Sequence, residues 1–237
     1  MSFFRRIRAI VRGACSLVLF AAFGAGALAI TPLMLVLRRP ERCQPVVRAV
    51  WRLATAAFVV TRLIRLDHSR LRSVSGAVLT ANHPSLIDVV LLVALVPRTL
   101  YVAKRALRGN PILAAIVRAT ALPDDASLPE KAAPYLAKGW NVLVFPEGTR
   151  SPRTGGLRPL RRGAAQVALR AGAPVVCVRI DVSRRLLAKG QKPWDMGSER
   201  VTYAFRSDEL APPAEPVRGA RAAAVELTER IRARLSA

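Results

Sequence analysis

The sequence contains only two histidines, three cysteines, five lysines and 15 acidic residues among 237. Cys15, Cys43 and Cys177 are odd in number, lie in apolar stretches and show neither a CxxC pair nor metal-ligand spacing. A disulfide-stapled secreted domain and a Cys/His metal cluster are therefore excluded, and the thiols read as reduced structural residues. Aromatic residues make up 5% of the chain, with three Tyr and three Trp. No motif for reading RNA or DNA accompanies them, so no nucleic-acid partner is expected. A GxxxxGK[ST] phosphate loop, an internal repeat and a long low-complexity segment are also missing, and no cofactor or metal is expected.

Arginine and apolar residues are what the chain has in excess. Lys and Arg number 38, which gives a formal net charge of +23, yet 52% of the residues are hydrophobic and the mean hydropathy is +0.26. A basic disordered tail would be poor in apolar residues, so a folded domain with an appendage is indicated. Because nearly all the positive charge is arginine, bidentate contacts to phosphates or carboxylates are favoured. Charge alone does not choose among nucleic acid, an anionic lipid surface, a phosphorylated or coenzyme A-type substrate and an acidic carrier protein.

Residues Gly13 to Leu37 form a run of 25 without a charge, flanked by Arg5, Arg6, Arg8 and Arg12 on one side and Arg38, Arg39 and Arg42 on the other. The run is long enough to span a bilayer. Ala27-Leu28-Ala29 imitates a signal-peptide cleavage site, but the apolar run continues to Leu37 without a polar break, so the segment is expected to be retained. A straight span would set the basic remainder of the chain against the tendency of Arg-rich flanks to stay cytoplasmic. Gly24, Gly26 and Pro32 suggest instead two shorter helices that dip into one leaflet and return, with Leu53–Val60 on the interface. The expected division is 1–60 for membrane-associating helices and 61–237 for a catalytic domain, at the cytoplasmic face of the cell membrane.

Beyond Arg62, short apolar runs alternate with helical stretches. Strands are predicted at Gly76–Ala81, Leu100–Ala103, Thr120–Leu122, Asn141–Phe145, Pro174–Ile180 and Val201–Phe205. Helices are predicted at Leu86–Leu95, Pro111–Arg118, Pro129–Lys138 and Leu160–Arg170, the first two introduced by Ser85 and Asn110. The fold class is α/β, a mixed sheet flanked by helices. The Pro-rich Ala211–Pro216 reads as a connector into a last amphipathic helix, Val217–Leu235, that packs on the domain.

Two polar clusters stand at strand ends. In Ala81-Asn82-His83-Pro84-Ser85-Leu86-Ile87-Asp88, His83 follows a strand and precedes a helix, and Asp88 can turn back to accept one imidazole N–H. That partner would fix the tautomer and stabilise the imidazolium, as the acid of a Ser-His-Asp triad does. No serine nucleophile is needed if the substrate supplies the hydroxyl. His68, beside Asp67 in a charged connector, reads as a solvated surface residue. The second cluster, Phe145-Pro146-Glu147-Gly148-Thr149-Arg150-Ser151, offers an acid, a flexible glycine, a hydroxyl and an arginine that could hold a phosphate or a glycerol-like head group.

Together, in this order and 59 residues apart from Asp88 to Glu147, the two clusters resemble the hallmark blocks of the PlsC-like glycerolipid acyltransferases, His-x4-Asp and Glu-Gly-Thr-Arg. The resemblance covers Val78 to Ile180 and includes Asn82 and the strand leading into Phe145. It implies that His83 is a general base oriented by Asp88, and that Glu147, Gly148, Thr149, Arg150 and Lys104 bind the acceptor. It also implies a fatty acyl transfer from acyl-CoA or acyl carrier protein to a lyso-lipid hydroxyl at an anionic membrane, with lysophosphatidic acid the default acceptor.

Two departures bear on the acceptor. Ala121-Leu122-Pro123-Asp124-Asp125 places an acid where members acting on glycerol phosphate carry a phosphate-binding Arg, and Arg118 stands near enough in sequence to substitute. Cys177 replaces the second proline of a later apolar block, a change expected to touch packing or the acyl pocket. A phosphate-free acceptor, such as a lyso-ornithine lipid or a polyene or pigment lipid, and a non-catalytic protein that binds lipid or acyl carrier remain as alternatives.

Overall fold

Short apolar strands separated by helices cannot pair with their sequence neighbours in hairpins, so they assemble into a largely parallel sheet. The computed structural model describes residues 3–71, 73–188, 190–211 and 219–236. Its strands are β1 (Ile64–Arg70), β2 (Val78–Ala81), β3 (Thr99–Ala103), β4 (Ala121–Pro123), β5 (Asn141–Val144), β6 (Val175–Val182) and β7 (Val201–Leu210). They form one seven-stranded sheet in the order β1-β7-β6-β2-β5-β3-β4. All neighbours run parallel except β6 and β7, so the sheet is mixed.

The helices are α1 (Phe3–Ala29), α2 (Thr31–Leu37), α3 (Pro40–Val60), α4 (Asp88–Leu95), α5 (Ala114–Thr120), α6 (Leu128–Ala137), α7 (Gly163–Ala171) and α8 (Gly219–Ser236), with a short 3₁₀ turn at Arg105–Gly109. Strand side chains alternate between two helical layers. Leu79, Ala81, Leu143 and Tyr203 share a core with Trp51 and Phe58 of α3 and Leu91 and Leu92 of α4. Val78, Val142 and Val144 face Leu136 of α6, Val167 of α7 and Leu227 and Ile231 of α8. Every residue of β2 and β5 is buried, which is why these central strands read as uninterrupted apolar runs. Cys177 lies in the second of these cores, buried beside Thr80.

The expected elements are present with ends shifted by one to three residues, except β7, which runs five residues past the expected Phe205 to Leu210. The helix expected to begin at Leu86 begins at Asp88, because Ser85 bonds the Asp88 side chain. The stretch holding His68 is a strand, β1, not a connector. It lies at the sheet edge and His68 is exposed, so little apolar alternation marks it in the sequence. Residues 212–218, which carry most of the expected Pro-rich connector, lie outside the described residues.

In the N-terminal segment Gly24 and Gly26 sit inside α1, and the helix is interrupted at Ile30, just before Pro32. Proline lacks the N–H and crowds the preceding turn, so the break belongs there. The helical stretches Phe3–Leu37 and Pro40–Val60 are long and apolar enough to cross a membrane by length and composition. Phe20 of α1 packs edge-on against Phe58 of α3. Both flanks of the uncharged run lie against the α/β unit. Arg12 donates to the carbonyls of Arg62, Leu63, Gly197 and Glu199, and Ser16 to that of Pro193. At the far end α2 packs on α5. Outward, α1 and α2 expose Phe3, Phe4, Ile10, Val18, Leu28 and Val36.

One buried amide joins the starts of the central strands. Asn141 accepts from the Ala77 N–H at 3.1 Å and donates to the carbonyls of Val74 and Pro97 at 2.9 and 3.2 Å. An Asn141→Leu substitution strands three backbone groups at once. It is expected to lower unfolding stability by about 2–5 kcal/mol, measured by denaturant titration in detergent.

Candidate active site

Because β2 and β5 are hydrogen-bonded neighbours with Thr80 opposite Val144, the loops that leave their carboxyl ends lie side by side. These loops are the two polar clusters read from the sequence. Ser151 N–H donates to the His83 carbonyl at 2.7 Å. The His83 N–H is shared between Glu147 Oε1 at 3.2 Å and Ser151 Oγ at 3.1 Å. Asn82 ties the same loop to the neighbouring strand, donating to the Ile180 carbonyl and accepting its N–H. His83 is thus held by its backbone before its side chain is considered.

The imidazole Nδ1 lies 2.8 Å from Asp88 Oδ2. Asp88 is fully buried, and among the described residues no Lys or Arg forms an ion pair with it. Its Oδ2 also accepts the Ser85 N–H at 2.7 Å, and its Oδ1 accepts the Ser85 hydroxyl at 2.5 Å. A carboxylate so bound holds the proton on Nδ1, which leaves Nε2 unprotonated and able to take one. The ring stacks on Phe145, with centroids 4.2 Å apart, so the imidazole is confined on one face. Tyr203 lies buried beside this pair, and burial together with the Asp88 carboxylate pushes its phenol well above its ordinary pKa. Cys177, buried against Thr80, is pushed up to about 11 by desolvation and is not a nucleophile.

His83 opens on a cavity of about 370 Å³. Lys104, Gly148, Thr149 and Arg150, all expected at the acceptor site, line it. Its apolar part is built by residues such as Val89, Tyr101, Leu128 and Val144. Glu147 is only 5% exposed and both its oxygens are taken by the protein. Oε1 accepts from His83 and from Ser151 Oγ at 2.5 Å, and Oε2 accepts the Arg158 N–H at 2.9 Å. Arg150 spends one N–H on the Leu187 carbonyl at 2.8 Å. That carbonyl also accepts the Leu86 N–H, and Leu187, buried with φ +53°, is a strained joint between the two loops.

Asp124 also lines the cavity, and an arginine accompanies it. Arg161, which the sequence reading passed over among many surface arginines, lines the same cavity and lies 3.3 Å from Asp124. Arg118 does not substitute there. It donates to the Arg108 carbonyl and lines a separate groove with Met34 and Arg38. Asp125 is turned away, accepting from the backbone and hydroxyl of Ser127. Among the described residues no group of three or more His, Cys, Asp or Glu side chains is placed to hold a metal ion.

Residues 64–181, which take in both loops, match the family model described as Acyltransferase. This stretch, about half of the chain, is an Acyltransferase-family domain. It is 31% identical over 110 residues to a 1-acyl-sn-glycerol-3-phosphate acyltransferase of Cocos nucifera, covering 42% of this chain and 35% of that protein. A 1-acyl-sn-glycerol-3-phosphate acyltransferase BAT2, chloroplastic, of Brassica napus is 27% identical over 123 residues, which cover 48% of this chain and 36% of that one. The chain thus matches about a third of the length of these curated relatives. The crystal structure of the 1-acyl-sn-glycerophosphate acyltransferase PlsC from Thermotoga maritima aligns over 98% of both chains with a TM-score of 0.64 and 21% identity. That likeness is one of fold and extends through the N-terminal helices.

The engagement of Glu147 makes a prediction that separates it from a surface ligand. Glu147→Ala leaves His83 N–H, Ser151 Oγ and Arg158 N–H without their acceptor. It is expected to destabilise the fold by about 2–4 kcal/mol, measured by thermal or denaturant unfolding without substrate. A residue serving only the acceptor would leave that midpoint unmoved.

Proposed function

We propose that this PlsC-like protein is a membrane-associated O-acyltransferase that moves a fatty acyl group from acyl-CoA or acyl carrier protein to the free hydroxyl of 1-acyl-sn-glycerol 3-phosphate, giving phosphatidic acid. The observation that carries the reading is the His83–Asp88 pair at the mouth of a cavity lined by Lys104, Arg150 and Arg161. His83 Nε2 takes the proton of the acceptor hydroxyl as its oxygen adds to the thioester carbonyl carbon. The tetrahedral adduct collapses, the C–S bond breaks, and the imidazolium returns the proton to the thiolate. Asp88 orients the ring and stabilises the imidazolium. Arg150 and Lys104 receive the phosphate as charge-assisted donors, and Glu147 serves through His83.

Replacing His83 by Ala is expected to abolish transfer from a radiolabelled acyl thioester to lysophosphatidic acid while vesicle flotation shows unchanged membrane binding. Asp88→Asn favours the wrong tautomer and is expected to lower kcat by roughly 10³–10⁴. Retained turnover in His83→Ala overturns the mechanism. A second reading, a phosphate-free acceptor such as a lyso-ornithine lipid, rests on Asp124 in the cavity. Preference for that acceptor in a panel that includes lysophosphatidic acid would select it.

The N-terminal geometry supports an interfacial helix pair on the cytoplasmic face of the cell membrane. With Arg12 and α2 both against the α/β unit, a straight crossing between them is disfavoured. The exposed apolar side chains of α1 and α2 then meet one leaflet, and arginines along the surface meet anionic head groups at about 1 kcal/mol each. Protease added outside sealed vesicles bearing the protein outward is expected to cut both flanks of 13–37. Protection of one flank would establish a span.

A further inference from the structure

From this geometry we infer that Arg161 is a third phosphate ligand, and that Asp124 pairs with it until a phosphate-bearing acceptor displaces the carboxylate. The inference rests on the acceptor proposed above and concerns how it is selected. Three independent features place the guanidinium. Its backbone N–H is fixed to the Pro146 carbonyl at 2.8 Å. Its side chain lies over Gly148, where a Cβ would come within 2.9 Å of Arg161 Cζ and Nε. Its Nη1 reaches Asp124 Oδ2 at 3.3 Å. Gly148 has φ +62°, so the glycine meets two demands at once: the left-handed turn and the space that the guanidinium fills.

The charge count explains why an acid can stand in a phosphate site. Lys104, Arg150 and Arg161 line the cavity, with Asp124 their single acidic companion in its wall. A phosphate monoester carries about −1.5 to −2 near neutral pH, which matches the net charge of these four groups. The Arg161–Asp124 pair is half-exposed, with side-chain exposures of 64% and 32%, so it is weak and exchangeable. A phosphate offers more charge and more acceptor oxygens than the carboxylate it replaces. An uncharged acceptor offers neither and leaves the pair closed. The arginine missing from the 121–125 stretch is therefore supplied from the loop before α7.

The test is steady-state kinetics on the full-length protein in detergent micelles, with 1-acylglycerol 3-phosphate and the acyl thioester that supports turnover. Arg161→Ala is expected to raise KM for the lysophosphatidate about 10- to 100-fold with kcat within about threefold and the donor KM unmoved. Arg161→Lys recovers part of the loss. Asp124→Asn is expected to lower the same KM about two- to fivefold, and this gain disappears in the Arg161→Ala background. A KM within twofold of wild type in Arg161→Ala overturns the inference. So does an Asp124→Asn gain that persists without Arg161, which would make Asp124 a direct repellent. If Arg161→Ala does not fold by thermal melt, the Lys and Asn variants decide alone. Wild-type protein that acylates monoacylglycerol but not lysophosphatidate overturns the proposed acceptor itself, a different result from either.

Discussion

Two buried carboxylates, Asp88 and Glu147, neither ion-paired to a Lys or Arg among the described residues, are the constraint around which the site is built. Burying a charge is tolerable only when its lone pairs are satisfied. Here the loops themselves supply the donors: Ser85 and His83 for Asp88, and Ser151, His83 and Arg158 for Glu147. His83 is the one residue that touches both, by its side chain on one and its backbone on the other. The carboxylates therefore fix both the position and the tautomer of the imidazole. The same bonds make the β2 and β5 loops a single rigid unit, seated on strands that are themselves neighbours in the sheet.

The excess of arginine is distributed according to the same logic of what each charge can reach. Arg12 satisfies four carbonyls where α1 meets the α/β unit, a structural use that charge counting cannot distinguish from a surface one. Arg150 divides its donors between the strained Leu187 carbonyl and the cavity. The remaining exposed arginines leave a basic surface beside helices whose outward side chains are apolar. High charge and high hydropathy also meet on one element: α1 exposes Arg5, Arg6 and Arg8 beside Phe3, Phe4 and Ile7, a mixture suited to a lipid interface.

Much of this was legible in the sequence because it is local. The His83–Asp88 pair is only five residues apart, across the short loop that leads into α4, the strand before each cluster is an unbroken apolar run, and the Glu-Gly-Thr-Arg stretch is contiguous. The central strands and the helices between them followed from the same apolar patterning. Residues that act across the fold left no such trace. Arg161 joins the cavity from 11 residues beyond Arg150 and is indistinguishable in sequence from its neighbours Arg158 and Arg162. Leu187 contributes a carbonyl, to which side-chain identity gives no clue. Glu147 read as a ligand because an acid beside an arginine suggests binding, whereas its burial turns it toward the backbone of His83. The strand β1 escaped notice because an exposed edge lacks the alternation that burial imposes.

On the proposed role of Arg161, an acid at 124 is compatible with a phosphate-bearing acceptor. An electrostatic site is defined by the charges that reach a point in space, and the same point can be served from different elements. Placing the acid at 124 and the arginine at 161 gives the cavity an ion pair in place of a lone cation, which lowers the repulsion among Lys104, Arg150 and Arg161. The cost is paid on binding, when that pair must open. In the proposed exchange, only a ligand with enough charge to outcompete a carboxylate opens it, so a phosphate would be favoured over neutral head groups by the difference between two pairings of one guanidinium. Selectivity in such a site comes from the strength of the resident competitor as much as from the number of cations.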